Sequence, residues 1–282
     1  MILHCSQEEK IMAKEWIKDT FNCEKPVIGM LHLMAMPTDP KYNKEGGVEA
    51  VLERARKDLH ALQDGGIDAI IFCNEFSIPY VDNVRTVTVA TMAYIIGELK
   101  KEITVPYGVH VAQDPYKTFD LAAATGAKFV RETFFGAYVG DYGLTDIHVG
   151  ELERHRYDVG CENVRTLATF IPEGGMPLDH RPVEQMVKSI NHNWHPDALL
   201  VYGVAAGNAI DNNMLAKIES SCDTPVFASN GVNEDTVVDT LKICDGCIVA
   251  TSLKIDGKFY NPTDVNRVKR LMDKAKAYRE GL

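Results

Sequence analysis

The sequence predicts a TIM-type (β/α)8 barrel with an N-terminal helical extension. Three observations carry that prediction: eight strand-like apolar runs, a helix-like segment after each, and an even spacing of about 30 residues between them. The runs are continuously apolar rather than alternating, as expected of a parallel sheet covered on its outside by helices. Eight such units in about 250 residues is the length of a closed barrel. An open doubly wound sheet is the alternative, but the stretch after its first strand should carry a glycine-rich fingerprint, and MLHLMAMP has none.

Taken in order, residues 1–25 read as the extension, with an amphipathic helix from Gln7 to Phe21, and residues 26–282 as the barrel. Pro26 introduces the first strand, VIGMLHL. The helix that follows places Val48, Leu52, Ala55, Leu59 and Leu62 at helical spacing and stops at Gly65-Gly66. The strands IDAIIFCN, YGVHV, KFVRETFF, VRTLATFI, ALLVYGV, PVFASN and GCIVATS come next, each with its helix. A long polar loop is expected after KFVRETFF, and a terminal helix from about Thr263 to Arg279 closes the chain.

The 282 residues are 45% hydrophobic and 25% charged, ordinary values for a globular domain that needs no metal or disulfide staple. A net charge of −10 with no basic stripe argues against a nucleic-acid partner. No run approaches the roughly 20 apolar residues of a membrane span, and the start lacks a signal-peptide pattern. Seven cysteines, an odd number set mostly in apolar runs, point to reduced thiols and a cytoplasmic location. Cys244 and Cys247 have C-x-x-C spacing, but a single such pair reads as two core thiols flanking a turn.

Barrel chemistry sits at the C-terminal ends of the strands, so the polar residues there are the informative ones. After the last two strands stand Ser229, Asn230 and Gly231, then Thr251, Ser252 and Lys254. Small residues and a glycine at those two loops are what a phosphate needs, because several backbone N–H groups must converge on one anion. The competing reading is a plain turn before an N-capped helix. Glu75, Asp114, Glu132 and Asp141 follow neighbouring strands and are expected to converge opposite, as acids and bases or as oxygen ligands for Mg2+ or a similar divalent ion. Any one of them can equally be a salt bridge or a cap. His32 at the first strand end joins them as a base, against the alternative of a satisfied core histidine. Asn74, Arg131 and Tyr202 are expected to contact substrate; Arg131 and Glu132 alternate, so only one of them faces the barrel axis. His192 and His195 precede a strand and read as structural, and Glu173 to Pro177 has the glycine and proline content of a lid. No lysine lies within an apolar strand, which disfavours Schiff-base chemistry.

The strings GMLHLMAMPTDPKY, FCNEFSIPYV, AAATGAKFVRETFFGAYVGDYGL, PVFASNGVN and DGCIVATSLKIDG resemble the BtpA/SgcQ family, in order from about Val27 to Arg270. NEFSIPY is similar to the SgcQ-like branch. The resemblance implies a barrel of the ribulose-phosphate-binding type. It also implies either a role in photosystem I biogenesis, as for BtpA-like members, or carbohydrate metabolism with provisional enzyme labels that include nucleosidase. It points to His32, Asn74, Glu75, Asp114, Arg131, Asp141, Asn230, Gly231, Thr251 and Ser252 without giving any of them a role. Where many members carry a His-Lys-His type segment, this chain reads TFIPEGGMPL, so no role transfers there.

Three functions follow as expectations. The first is an enzyme acting on a small phosphorylated metabolite, a sugar phosphate or nucleoside-type compound, by isomerase, lyase or nucleosidase-type chemistry. The second is a non-catalytic assembly factor with an exposed apolar patch on its outer helices or its extension. The third is a sensor that binds a phosphosugar without turnover. A homo-oligomer is compatible with all three.

Overall fold

The computed structural model describes residues 13–202 and 212–282. The first part of the helix expected from Gln7, and the Gly203-Val204 end of the sixth expected strand, lie outside the described residues. Strands β1 (Val27–His32), β2 (Ala69–Cys73), β3 (Tyr107–His110), β4 (Phe129–Glu132), β7 (Arg165–Thr169), β9 (Ala198–Tyr202), β10 (Val226–Ser229) and β11 (Gly246–Val249) form a closed, all-parallel barrel. Closure is made by β1, whose Val27, Ile28 and Gly29 register with Cys247, Ile248 and Val249. The helices between strands pack outside: α2 (Gly47–Asp64), α3 (Thr86–Leu99), α4 (Pro115–Thr125), α5 (Val149–Asp158), α6 (Val183–Asn193), α7 (Asn212–Ser221), α8 (Val237–Ile243) and α9 (Val265–Arg279).

Alternation along each strand splits the core in two. Val27 and Leu31 point out to the helices, while Ile28 and Met30 point to the axis. Cys244 and Cys247 are both buried in the outer layer as free thiols, and burial pushes Cys244 up to about 12, so neither is poised as a nucleophile.

Helix α1 (Glu15–Phe21) does not stand apart from the barrel. Trp16, Ile17 and Phe21 join the axial core at the N-terminal end of the strands, with Trp16 stacked on Phe227 at 6.4 Å and Phe21 edge-on to Phe129 at 5.2 Å. Two glycines make room for these rings. A Cβ on Gly108 would lie 2.5 Å from the Phe129 ring, and one on Gly246 would lie 2.3 Å from Phe227. Just outside the plug, Asp68, Asp197 and Asp245 precede three strands and accept an amide near the start of the neighbouring one, from Val27, Thr166 and Val226. Each acid also pairs with a base: Arg279, Arg165 and Lys14 respectively. His195 lies at this end too, bonded to Asn191, as expected of a structural histidine.

The opposite end is built differently. Residues 136–147 were expected as polar loop, but they form a hairpin, β5 (Gly136–Gly140) and β6 (Gly143–Ile147), which β8 (Gly175–Pro177) extends to a three-stranded antiparallel sheet. The segment read as a lid therefore contributes a strand. Tyr138 points inward and donates to the Phe170 carbonyl. Leu144, Val139 and Met176 are cross-strand neighbours and form an exposed apolar row on the sheet.

Candidate active site

A cavity of about 550 Å3 opens at the C-terminal end of the barrel. Its walls have two chemically distinct ends. The shallow end is formed by the loops after β10 and β11, with Ser229, Asn230, Gly231, Val232, Thr251 and Ser252. Asn230 and Gly231 are both left-handed, at φ 69° and 68°, which turns successive amides the same way. The two loops are tied together by Ser252 Oγ, which donates to the Val232 carbonyl at 2.7 Å. Among the described residues, no acceptor takes the amide hydrogens of Gly231, Val232, Thr251 or Ser252. Arg267 and Arg270, from the first turns of α9, line the same end. Arg267 is anchored on the Ser252 carbonyl at 3.2 Å and Arg270 on Glu234 at 2.8 Å.

The deep end carries His32, Glu75, Arg131, Tyr202 and Met30. Arg131 faces the axis. Its guanidinium donates to the Tyr202 hydroxyl, through Nε at 2.9 Å and through Nη2, and to Nδ1 of His110 at 2.9 Å. Since a guanidinium only donates, His110 accepts at Nδ1 and donates from Nε2 to Glu132, 2.8 Å away. Burial pushes the pKa of His32 down to about 3, outweighing the pull of Glu75, and the charges of Lys254 and Arg131 add to the effect. Its imidazole is therefore neutral at pH 7. Burial alone would raise Glu75, yet its pKa is brought down to about 2 by the cationic side of the site. His32 contributes most to that lowering and Arg131 next, and at neutral pH, where His32 is uncharged, Arg131 still favours the ionised carboxylate.

The residues expected at the site separate into two groups. His32, Glu75, Arg131, Tyr202, Ser229, Asn230, Gly231, Thr251 and Ser252 line the one cavity. Asn74, Asp114, Glu132, Asp141 and Lys254 do not, and each has another occupation. Asp114 caps α4 through the Lys117 amide and also accepts the Val84 amide. Asn74 accepts the Ala112 amide at 2.8 Å, which holds two strand ends together. Glu132 is spent on His110 and on the amides of Gln113 and Thr133. Asp141 sits exposed at the hairpin tip. Lys254 is buried against His32, its ammonium 2.9 Å from Nδ1, and does not reach the cavity as a phosphate cation would. The acidic convergence expected for a divalent ion is therefore not formed: among the described residues, no group of three or more His, Cys, Asp or Glu is arranged to hold a metal.

Arg267 and Arg270 also line the cavity and were not singled out from sequence, whereas Glu173, another lining residue, was read there as a polar residue following the fifth expected strand. Topology held the signal for the arginines, because the first turn of every barrel helix lies at the same end as the strand C-termini. Glu173 precedes β8 and meets the Asn230 side-chain amide at 3.4 Å, linking the small sheet to the shallow end.

The BtpA family model matches residues 23–277. The chain belongs to the BtpA family. Over 92% of its length it is 46% identical to the sgc region protein SgcQ of Escherichia coli, covering 97% of that protein. It is 30% identical to the photosystem I biogenesis protein BtpA of Synechocystis over 93% of this chain and 91% of that one. Solved barrels align at low identity. Thiamine phosphate pyrophosphorylase from Pyrococcus furiosus has a TM-score of 0.52 at 17% identity, over 93% of this chain and 98% of that one. Phosphoribosyl anthranilate isomerase from Thermus thermophilus has 0.54 at 12%, over 90% and 100%. At such identities the likeness speaks for the fold alone, and this BtpA-family chain shares the barrel architecture with them.

Proposed function

We propose that the cavity binds a small phosphorylated metabolite and turns it over. The phosphate lies on the amides of Gly231, Val232, Thr251 and Ser252, with the reacting part at His32, Glu75 and Arg131. The supporting observation is the pairing of these two ends in one cavity. One offers amide hydrogens with no acceptor, beside Arg267; the other offers an ionised carboxylate, a neutral imidazole and a guanidinium. Two structural neighbours, thiamine phosphate pyrophosphorylase and phosphoribosyl anthranilate isomerase, are named for phosphorylated compounds, which fits the same reading. Isomerisation, elimination and glycosidic cleavage all use a carboxylate opposite a hydrogen-bond donor, and the choice among them rests with the substrate.

A thermal-shift screen with inorganic phosphate, phosphorylated sugars and nucleotides tests the binding. A ligand at a hundred times its dissociation constant adds about 2.7 kcal/mol of stability. Gly231→Val, which forces a branched side chain on a left-handed residue at φ 68°, should abolish the shift. No response to any phosphorylated compound, or the same response in the variant, ends the proposal.

A second reading, non-catalytic assembly, has one observation in its favour. The row of Leu144, Val139 and Met176 is exposed, and it lies on the small sheet rather than on the outer helices or the extension. A relative bears the name of a biogenesis protein. If assembly is the role, Met176→Asp removes it and leaves the phosphate response unchanged.

A further inference from the structure

Lys254 has an environment unusual for a lysine. It is 2% exposed, and among the described residues no carboxylate lies within ion-pair distance of its ammonium. The ammonium sits instead between the rings of Phe76 and Phe259, at 4.7 and 5.2 Å, and donates to the Phe259 carbonyl at 2.5 Å. Its other partner is Nδ1 of His32 at 2.9 Å. An ammonium has three hydrogens and no lone pair, so this contact has a direction: Nδ1 accepts. The single ring proton of neutral His32 then resides on Nε2. Phe76 and Phe259 also flank the imidazole, at 5.8 and 5.6 Å between centroids, and hold its plane.

Nε2 of His32 has no hydrogen-bond partner among the described residues. Glu75 Oε2 lies 3.9 Å away, beyond hydrogen-bond length. Both residues line the cavity. A donor and an anionic acceptor thus stand across a gap wider than one hydrogen bond and narrower than two laid end to end. One oxygen atom placed to the side, about 2.8 Å from each, satisfies both. That oxygen must accept from N–H and donate to a carboxylate. A hydroxyl does both, whereas a carbonyl, ether, carboxylate or phosphate oxygen has no hydrogen for Glu75 and would meet its lone pairs.

We propose that Lys254 is a positioning residue that fixes His32 as an Nε2–H donor, and that the His32–Glu75 pair receives a hydroxyl group, so that the ligand at the deep end is a polyol or sugar. This rests on the phosphate reading only for where the other end of the ligand lies. It also explains why the last strand delivers a lysine against His32 rather than onto the phosphate loops.

The tautomer is read directly by 15N NMR of the full chain labelled at histidine, with the His32 signals assigned by their loss in His32→Asn. Wild-type protein should show the Nε2–H form alone. Lys254→Met should shift His32 toward a mixture of tautomers, and Lys254→Arg, which can still donate, should restore the wild-type signals. An Nδ1–H tautomer in wild type, or an unchanged His32 in Lys254→Met, overturns the positioning role. The wild-type measurement decides even if the variants fold poorly.

The ligand class is read by calorimetry with inorganic phosphate, glycerol 3-phosphate, ribose 5-phosphate and glucose 6-phosphate. At least one polyol or sugar phosphate should bind about tenfold more tightly than inorganic phosphate, the worth of a hydrogen bond to a charged group. Lys254→Met should erase that margin while leaving inorganic phosphate within about twofold. If none of the three exceeds inorganic phosphate, the hydroxyl assignment is wrong. If inorganic phosphate itself fails to bind, the phosphate reading falls, and the tautomer result still judges Lys254 on its own.

Discussion

The two ends of the barrel are made from the same eight strands and solve opposite problems. At the N-terminal end, α1 closes the axis with aromatic rings, and the charged groups there are spent on strand amides and ion pairs. At the C-terminal end, amides and side chains with hydrogen-bonding capacity to spare face a cavity. The difference teaches where each kind of residue acts. A carboxylate engaged by a strand amide and a fixed base holds the fold, and one held ionised across a gap is available to a ligand.

The sharpest way to break that comparison is Glu75→Gln. It should lower turnover of the substrate found by screening by a factor of about 10^2–10^4 while the melting temperature moves little, read by steady-state kinetics beside calorimetry. Equal rates would place Glu75 with the structural acids. Next comes Phe21→Ala at the sealed end, which should cost about 3–5 kcal/mol in a denaturant titration and leave the phosphate response intact. Stability against pH gives the third test. His32 and Glu75 both have native pKa values below their unfolded ones, near 3 and 2. The unfolded chain therefore binds more protons than the native one once pH falls below about 6.5, and stability drops as acid is added. The slope is about 1.4 kcal/mol per pH unit for each such proton, and His32→Asn should remove the part between about pH 6.5 and 4.5. The smallest effect is expected of Asp114→Ala, where loss of the α4 cap costs about 1 kcal/mol and the rate is kept.

Much of this was legible because it is written in periodicity. Eight apolar runs give eight strands, and Ser229 to Gly231 with Thr251-Ser252 sit at strand ends by counting alone. What escaped was direction. Lys254 lies two residues past Ser252, yet the 3-10 turn Thr251–Leu253 reverses the chain and sends the lysine stem inward. Asp114 stands at a strand end like Glu75, but Pro115 begins a helix directly after it, and a carboxylate in that position caps. The hairpin was hidden by its own glycines. Gly140 and Gly143 bracket a two-residue turn, and so many small and polar residues read as loop when they mark a reversal.

The seal at the foot of the barrel also constrains how the molecule is assembled. Trp16 and Phe21 leave the ribosome about 200 residues before the ring they rest on, Phe227, which belongs to the next-to-last barrel strand. Their docking joins distant parts of the chain, the kind of contact that folds slowly and leaves apolar surface waiting in the meantime. Helix α1 is a cork that must stay out of the bottle until the bottle has been blown.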